Sequence, residues 1–413
     1  MTWTPVTEEE RAYYSVPKPA PALISELLHR PEPAGDPTWG RAPLPRAPDE
    51  ARIRATHGHR DGKVWLDEHT KDEWVAYQVW EPTKGSQDRE CDLVFCHGIN
   101  DYGGKFAVHA DHFLDAGYRV VVPDLPGHGR STGIHVYTPR MEALADAVYA
   151  VIKDVALQDS RLVQEQEGSY TQTRKVFVAG QSLGGFTATL TCLKYGAPVD
   201  TSLPSASHAS FRPTISGGIF LCPMLAISPE SRPAYAVELA ARALASIAGP
   251  LPFASANKGK NSEDPSVEEQ FDQDPQTYSG KLRIATGLAV LQVRNRISSV
   301  HRPVSKRFRS PGHKLTRLTF ALFERNVRVQ AITEINDKLS HLRVPFLLCH
   351  GTGDRVTSYH GSERLLREAE STDKELKLYP DYQHILLRKG KDAADDMRRQ
   401  TVLNDMLEWL DRH

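Results

Sequence analysis

The chain has 413 residues, of which 40% are hydrophobic and 25% are charged, and its formal net charge is −1. This composition is typical of a globular protein, and the near-neutral charge provides no global field for nucleic acid or an anionic membrane. No apolar run reaches the roughly 18 residues of a membrane span, and the first residues lack the pattern of a signal peptide. The five scattered cysteines form no C-x-x-C pair, so we expect free thiols in a cytoplasmic protein.

The first 60 residues are predicted to form a proline-rich N-terminal extension, with stretches such as VPKPAPA and RAPLPRAPDE. Proline-rich sequence resists regular structure, so we expect most of this segment to wrap the surface or to stay mobile. A short helix at residues 23–28 is the one regular element predicted here. We expect the extension to carry little chemistry.

From about residue 60 the pattern changes to alternating strands and helices. WLDEHTKDEWVAYQVW predicts two short strands across a turn, and CDLVFCHG, RVVVPD, KVFVAG, GGIFLC, VPFLLCHG and KELKLYP predict further strands, most of them buried. Helical runs such as HADHFLDAGY, EALADAVYAVIKDVA and FTATLTCLKYG lie between several of them. Strands that alternate with helices predict an α/β domain over residues 61–413, with a mostly parallel central sheet and helices on both faces.

About 120 residues without a clear strand separate the strand at 218–222 from the strand at 344–349. AYAVELAARALASIAG, at 234–249, has the pattern of an amphipathic helix. We therefore predict a helical cap inserted at about 223–342, over the catalytic end of the sheet. An ordinary crossover is the alternative, but this segment is far longer than the usual connection.

Residues 180–184 (GQSLG) form a G-x-S-x-G sequence between the predicted strand KVFVA and a helical run. In that context the motif predicts a nucleophile elbow, in which Gly180, Gln181 and Gly184 surround an exposed and strained Ser182. The N-terminus of the following helix favours developing negative charge. Ser182 is therefore the predicted nucleophile of a serine hydrolase with the α/β-hydrolase fold.

A serine hydroxyl needs a base to remove its proton, and in this fold the partners follow in the order serine, acid, histidine. Asp354 comes just after the strand VPFLLCHG, and His384 follows the strand KELKLYP. Both lie at carboxyl ends of strands, where α/β sheets assemble their sites. We predict that His384 is the general base and acid and that Asp354 orients its imidazole. Asp381 is a rival acid, but it lies in the wrong loop.

The oxyanion of a tetrahedral intermediate needs fixed hydrogen-bond donors. The backbone N–H of Leu183, directly after the nucleophile, is one predicted donor. The other is expected from the loop that begins with His97 and Gly98, and we choose the N–H of Ile99 because Gly98 lets the backbone turn inward.

Residues 97–106 (HGINDYGGKF) resemble the H-G-x-x-E-x-x-x-R-Y stretch of monoacylglycerol lipases, their lysophospholipase relatives and the wider group similar to the S33 serine aminopeptidases. Residues 124–131 (DLPGHGRS) are similar to the D-x-x-G-H-G-x-S element of these lipases, and residues 180–185 (GQSLGG) match G-H-S-M-G-G. The stretches 344–354 and 374–384 look like the family's last two strands with the acid and the base. The resemblance covers most of residues 60–410, including Asp274-Pro275 and Gly280 in the cap.

The resemblance implies hydrolysis of a monoacylglycerol, or of a similar single-chain lipid ester, to a free acid and glycerol, with no metal or other cofactor. Four positions depart from the family pattern, namely Asn100, Asp101, Gln181 and Leu183. None of these departures removes a catalytic group. Substrate choice does not follow from the resemblance, because cap side chains set it.

Residues 294–317 (RNRISSVHRPVSKRFRSPGHKLTR) contain eight Lys or Arg and no acidic residue. Three explanations stay open at this point. The segment is a disordered surface insertion, it holds the cap against anionic lipid, or it is a translated intron. We find no nucleic-acid-binding motif in it.

The partner expected from these patterns is a small-molecule acyl ester, bound in a tunnel under the helix at 234–249. Peripheral contact with a membrane or lipid droplet through the cap is a further hypothesis. Alternatives on the same fold are a carboxylesterase for small metabolites, a lactonase or an acyltransferase. A non-catalytic binding protein is disfavoured because Ser182, Asp354 and His384 are all present.

Overall fold

The computed structural model describes residues 3–17, 45–67, 73–164, 172–196, 211–254, 259–291 and 338–413. The helix predicted at 23–28 and the basic segment 294–317 lie outside the described residues, so both stay predictions.

One large mixed sheet forms the centre of the molecule. The described strands are, in chain order, β1 His59–Trp65, β2 Trp74–Trp80, β3 Cys91–Cys96, β4 Arg119–Pro123, β5 Lys175–Gln181, β6 Gly217–Leu221, β7 Pro252–Ala254, β8 Leu282–Arg283, β9 Phe346–Gly351 and β10 Lys374–Tyr379. Eight of them pair in the order β1-β2-β4-β3-β5-β6-β9-β10. Only the pairs that involve β2 are antiparallel, and the other five are parallel.

Helices cover both faces of this sheet. The described α-helices are α1 Glu8–Tyr14, α2 Pro48–Thr56, α3 Ala107–Leu114, α4 Glu142–Gln164, α5 Leu183–Tyr195, α6 Tyr235–Ala248, α7 Pro265–Gln273, α8 Ile284–Leu291, α9 Tyr359–Glu368 and α10 Ala393–Asp411. None of the helices in the described ranges is long and apolar enough to cross a bilayer.

Successive residues of the buried strands point into two separate cores. On β3, Val94 and Cys96 belong to a core that includes α4 and α5, whereas Leu93 and Phe95 belong to one that includes α3 and α10. Because side chains alternate across a strand, two covered faces require an uninterrupted apolar run. The predicted parallel sheet with helices on both faces is therefore confirmed. All five cysteines are buried and free.

The segment between β6 and β9 is helical, but it is not free of strands. It contributes α6, α7 and α8, together with a two-stranded antiparallel sheet formed by β7 and β8. The expectation that no strand occurs there was wrong, because strands of two and three residues are too short to show a periodic pattern. Ala241 of α6 packs against Ile284 and Leu288 of α8.

The N-terminal extension is more regular than its composition suggests. Its described parts contain α1 and α2, which contradicts the expectation of irregular chain at those two places. Pro48 occupies the first turn of α2, where the missing N–H costs no helical hydrogen bond, so this proline begins the helix. Ile53 of α2 is fully buried in the second core, and the fully buried carboxylate of Glu50 accepts hydrogen bonds from Arg46 and Gln78.

Candidate active site

Ser182 lies in the sharp turn between β5 and α5. Its backbone has φ 59° and ψ −118°, a conformation that is costly for a residue with a Cβ atom. Its N–H donates a hydrogen bond to Leu221 O over 3.0 Å, which ties the turn to the neighbouring strand. A Cβ atom at Gly184 would lie 2.0 Å from Cys96 O, and one at Gly180 would lie 2.5 Å from the carbonyl carbon of Gly184. The close packing therefore requires both glycines around the strained serine.

Asp354 and His384 follow β9 and β10 and are joined by a hydrogen bond. His384 Nδ1 lies 2.8 Å from Asp354 Oδ2, and the side chains are 5% and 0% exposed. Ser182 and His384 line the same cavity at this edge of the sheet. The structure thus brings the three predicted residues to one place from the ends of three strands.

The Asp354 carboxylate is held by a full set of donors. Its Oδ1 accepts the N–H groups of Val356 and Thr357 over 2.7 and 2.9 Å, and its Oδ2 accepts the Thr357 hydroxyl over 2.7 Å. His350 Nε2 lies 3.2 Å from the same Oδ2. Burial alone would raise the pKa of Asp354, but His384 and then His350 hold this pKa well below its usual value.

Sequence reasoning missed His350 and Thr357 as partners of the acid. His350 is the penultimate residue of β9 and is fully buried, and its Nδ1 lies 2.8 Å from Ser362 Oγ. Its place at the end of the predicted strand VPFLLCHG was visible, but the sequence offered no signal that its side chain contacts Asp354.

Cys222 completes a group of three potential metal ligands with Asp354 and His384, whose ligand atoms all lie within 4.8 Å of one another. The group is a poor fit to a metal ion, because Asp354 is already saturated by donors from its own loop and from His384. A metal would also need the thiolate, whereas burial and the nearby Asp354 raise the pKa of the Cys222 thiol well above its usual value.

The two predicted oxyanion donors, Ile99 and Leu183, belong to segments that lie next to the serine. A Cβ atom built on Gly98 would lie 3.8 Å from Ser182 Cβ, so the loop after β3 runs directly beside the nucleophile. Ile99 lines the same cavity, and its N–H has no acceptor among the described residues. Leu183 is the first residue of α5, where an N–H has no partner inside the helix.

Two side chains beside the elbow fix the neighbouring loops. The side-chain amide of Gln181, which stands in place of the family's histidine, donates to His384 O over 3.1 Å. His97 is buried and bridges Gly98 O, at 2.7 Å from Nδ1, and Leu125 N–H, at 2.9 Å from Nε2. Burial lowers the pKa of His97 to about 4, so it is neutral and holds the loop after β3 against the loop after β4.

Asp101, Lys105 and Asp274 form a chain of charges at one wall of the cavity. Lys105 Nζ lies 3.7 Å from Asp101 Oδ1 and 3.8 Å from Asp274 Oδ2. Burial raises the pKa of Asp101 to about 6, with Lys105 opposing the rise and Asp274 adding to it. The charge that Asp101 carries at neutral pH therefore lowers the free energy of unfolding.

Asp101→Asn is expected to stabilise the protein at pH 8. Because the folded-state pKa of Asp101 is raised, its ionisation destabilises the fold above pH 6, and this penalty disappears as the pH falls below about 4. The shift corresponds to about 3 kcal/mol at most. We expect about 1–2 kcal/mol, because the side chain is 24% exposed. Urea unfolding of both proteins at pH 8 and pH 4 measures the difference.

The matched control is Asp111→Asn, which removes a half-exposed carboxylate in a surface pair with Arg52 and should change stability by less than about 0.5 kcal/mol. Equal stability of wild type and Asp101→Asn at pH 8, or a gain that persists unchanged at pH 4, would contradict this reading of Asp101.

α1 connects the segment between β6 and β9 to the loop after β3. The buried Tyr13 hydroxyl donates to Asp274 Oδ1 over 2.6 Å, and Tyr102 donates to Asp274 Oδ2 over 3.1 Å. Gln276 Nε2 donates to the Tyr13 hydroxyl over 3.1 Å. Glu10 and Tyr14 of α1 then line the same cavity as Ser182. α1 therefore forms part of the cavity wall, a position that the sequence did not predict for the N-terminal extension.

The cavity that contains Ser182 and His384 has a volume of about 450 Å³. One part of its wall is apolar and is formed by Phe95, Phe106, Val108, Ile385 and Leu387. Residues from α1, α2, α7 and the loop after β3 supply the polar part. Among the described residues, none of those that line the cavity belongs to α6, so the expected tunnel under the helix at 234–249 does not correspond to this cavity.

Known proteins resemble this chain over most of its length. It is 28% identical over 376 residues to the caffeoylshikimate esterase of Arabidopsis thaliana, covering 90% of each chain. It is 24% identical to the monoglyceride lipase of Homo sapiens, covering 82% of this chain and 87% of that one. The structure of a soluble variant of monoglyceride lipase from Saccharomyces cerevisiae, in complex with a substrate analog, superposes with a TM-score of 0.54 at 19% identity, over 83% of this chain and 92% of that one.

The model of the family described as serine aminopeptidase, S33, matches residues 87–305 and 323–390, which is more than half of the chain. The match includes the elbow, the loop after β3 and the ends of β9 and β10. It agrees with the eight-stranded sheet and with the esterase and lipase relatives. The chain therefore belongs to the serine aminopeptidase S33 family of α/β-hydrolases, and it is an ester hydrolase of the monoglyceride lipase-like kind.

Proposed function

We propose that this protein cleaves carboxylic esters of single-chain lipids, such as monoacylglycerols, through an acyl-enzyme on Ser182. The observation that carries the proposal is the strained Ser182 in one cavity with His384, whose Nδ1 is fixed by the buried Asp354. This arrangement supports Ser182 as the nucleophile, His384 as the general base and Asp354 as the acid that orients His384.

In the first half of the reaction, Ser182 Oγ attacks the ester carbonyl carbon while His384 Nε2 takes the hydroxyl proton. Asp354 keeps the proton of His384 on Nδ1 and balances the positive charge of the imidazolium. The N–H groups of Ile99 and Leu183 stabilise the oxyanion that forms on the carbonyl oxygen. The intermediate then collapses, and the alcohol leaves with the proton from His384.

In the second half, a water molecule attacks the acyl-enzyme carbonyl and His384 removes its proton. The second tetrahedral intermediate collapses, the acid is released, and the proton returns to Ser182 Oγ. If an alcohol replaces water in this step, the same groups perform acyl transfer. No metal or other cofactor takes part in the proposed reaction.

The lining of the cavity supports a substrate with two chemically different ends. The apolar part beside Phe95, Phe106 and Leu387 suits an acyl chain, and the polar part suits an alcohol with hydroxyl groups. The alternative is a carboxylesterase for a small metabolite. The Arabidopsis relative favours this alternative, because its name describes an ester of a hydroxylated acid.

Hydrolysis of p-nitrophenyl esters from acetate to palmitate, alongside 1-oleoylglycerol, tests the proposal. Rising kcat/KM with chain length and turnover of 1-oleoylglycerol would support a lipid esterase. Turnover restricted to short esters would leave only the metabolite esterase. A fluorophosphonate probe should form one adduct per chain, on Ser182, and a protein that neither hydrolyses any ester nor binds the probe would refute both functions.

We also propose that α6 contacts the surface of a membrane or lipid droplet. Ala241 faces α8, whereas Tyr235, Leu239 and Leu244 are 76%, 55% and 38% exposed. Exposed apolar side chains concentrated on one cap helix are typical of a contact surface. We place this peripheral binding on the cytoplasmic side of the membrane, because five buried free thiols favour a reducing compartment.

Flotation with neutral phosphatidylcholine vesicles tests this contact. The double variant Tyr235→Ser/Leu239→Ser should bind about 30-fold more weakly, because each apolar side chain contributes roughly 1 kcal/mol when it is partly buried in lipid. Met397→Ser, which removes a 65% exposed apolar side chain from α10, is the control. Equal flotation of all three proteins would contradict a role for α6.

A further inference from the structure

His350 is a buried histidine that the proposed reaction does not use, although it contacts the predicted acid. Its Nε2 lies 3.2 Å from Asp354 Oδ2, and His384 Nδ1 lies 2.8 Å from the same oxygen. The side chains of His350 and Asp354 are both fully buried. Two imidazole rings therefore share one buried carboxylate oxygen.

The second ring nitrogen of His350 indicates where its proton lies. His350 Nδ1 is 2.8 Å from Oγ of Ser362, a fully buried residue of α9. The Ser362 hydroxyl has no other hydrogen-bond partner among the described residues, so its proton goes to His350 Nδ1. A neutral imidazole whose Nδ1 accepts a hydrogen bond carries its own proton on Nε2. His350 therefore directs an N–H donor at Asp354 Oδ2.

The shared oxygen makes His350 a competitor for the charge that stabilises His384. In the proposed reaction, Asp354 balances the positive charge that His384 acquires when it takes a proton. A carboxylate oxygen that accepts a further N–H group is a weaker partner for this imidazolium, because the hydrogen bond takes up part of its charge. With His350 present, His384 therefore releases its proton at a lower pH and is available as a base there.

The other titratable side chains around this pair do not compete for the oxygen. Burial raises the pKa of the Cys222 thiol after β6, of the Cys349 thiol on β9 and of the Tyr379 hydroxyl on β10 well above their usual values, so these groups stay neutral. Charged side chains on the neighbouring elements form partly exposed ion pairs of their own, namely His360 with Glu363, Arg364 with Glu368, Arg355 with Glu230 and Lys377 with Asp405. His350 thus acts on the site through Asp354.

We propose that His350 is a positioning residue that extends the activity of the enzyme to lower pH. It holds Asp354 by a hydrogen bond and weakens the attraction of this carboxylate for the protonated ring of His384. Ser362 keeps the ring of His350 in the tautomer that this role requires. The proposal rests on the proposed esterase activity and deepens it, because it adds a second histidine to the site.

The test is the pH dependence of kcat/KM for p-nitrophenyl butyrate between about pH 4.5 and pH 9, with the product measured by chromatography. The double variant His350→Leu/Ser362→Ala replaces both members of the buried hydrogen bond, so neither is left without a partner. The midpoint of its acidic limb should rise by about 0.5–1 pH unit, which lowers kcat/KM at about pH 5 three- to tenfold relative to the plateau.

His350→Gln tests whether the donor itself is responsible. A glutamine amide can donate to Asp354 and accept from Ser362, so this variant should bring the midpoint back to within about 0.2 pH unit of the wild type. His360→Gln, which changes a 68% exposed histidine of α9, is the control and should leave the midpoint unchanged. A loss of kcat/KM that is equal at every pH, with an unmoved midpoint, would show a purely structural role and overturn the proposal.

The tautomer of His350 can be measured without a kinetic variant. In ¹⁵N NMR of the histidine-labelled wild type, with His350→Gln to identify the signals, we expect a proton on Nε2 of His350 and none on Nδ1. A proton on Nδ1 would overturn the proposal even if the double variant failed to fold. Absence of any ester turnover by the wild type would refute the proposed function, whereas an active wild type with an unmoved midpoint in the double variant would refute this inference alone.

Discussion

Ser182→Ala is expected to lower kcat for p-nitrophenyl butyrate by about 10⁴- to 10⁶-fold, with little change in KM or in thermal stability. The substitution removes the attacking oxygen, and the remaining oxyanion donors and binding contacts supply only part of the rate. Alanine keeps the Cβ atom, so the strained φ of 59° at this position is retained. Steady-state kinetics at pH 8, with circular dichroism to verify folding, measure the effect.

The control is Ser279→Ala, because Ser279 is a second serine in the lining of the same cavity. It should keep kcat within a few-fold of wild type and should still form one phosphonate adduct per chain. If Ser182→Ala kept its activity, or if Ser279→Ala lost it, the nucleophile would have to be sought elsewhere in the cavity.

Asp354→Asn is expected to lower kcat by about 10³- to 10⁴-fold at pH 7. The carboxylate accepts the proton on His384 Nδ1, whereas an asparagine amide can donate to that nitrogen and stabilise the wrong tautomer. The matched control is Asp381→Asn in the loop after β10, the rival acid, which is exposed and should keep most of the activity. Comparable losses in both variants would argue against Asp354 as the orienting acid.

We also expect Asp354→Asn to change how the free energy of unfolding depends on pH. His384 and His350 hold the pKa of Asp354 well below its usual value although burial opposes this. The stability that this group contributes is therefore present above about pH 4 and is lost as the pH falls further. Urea unfolding should show a difference between wild type and Asp354→Asn at pH 7 that becomes smaller at pH 3. A difference that does not depend on pH would contradict the ion-pair account.

Much of the sheet and the strand ends could be predicted because both depend on local patterns. β3 and β9 are buried at every residue and mostly apolar, with Asp92 and His350 as the polar exceptions, which is the pattern of strands covered on both faces. The elbow is recognised by its G-x-S-x-G motif. The order serine, acid, histidine that this fold requires then indicates Asp354 and His384. His350 could not be found in this way, because its role depends on a contact with a carboxylate across a turn.

The cap and the N-terminal helix were harder to predict, because their roles depend on contacts between distant residues. The apolar face of α6 indicates an amphipathic helix, but periodicity does not say whether that face covers a tunnel or meets solvent. α1 has only seven residues, and its proline-rich surroundings suggested an irregular chain. Its function in the cavity wall comes from Tyr13, whose partner Asp274 is 261 positions away.

The distance along the chain between α1 and its partners separates them in time during synthesis. α1 leaves the ribosome long before Glu269, Gln270 and Asp274, the cap residues to which Trp3, Tyr14 and Tyr13 bind. The elbow and the loop after β3 precede these residues in the chain, whereas the hydrogen bonds of α1 to Gln270 and Asp274 need a segment that is synthesised later. The hydrogen bonds that fix α1 in the cavity wall therefore depend on residues from both ends of a long stretch of chain.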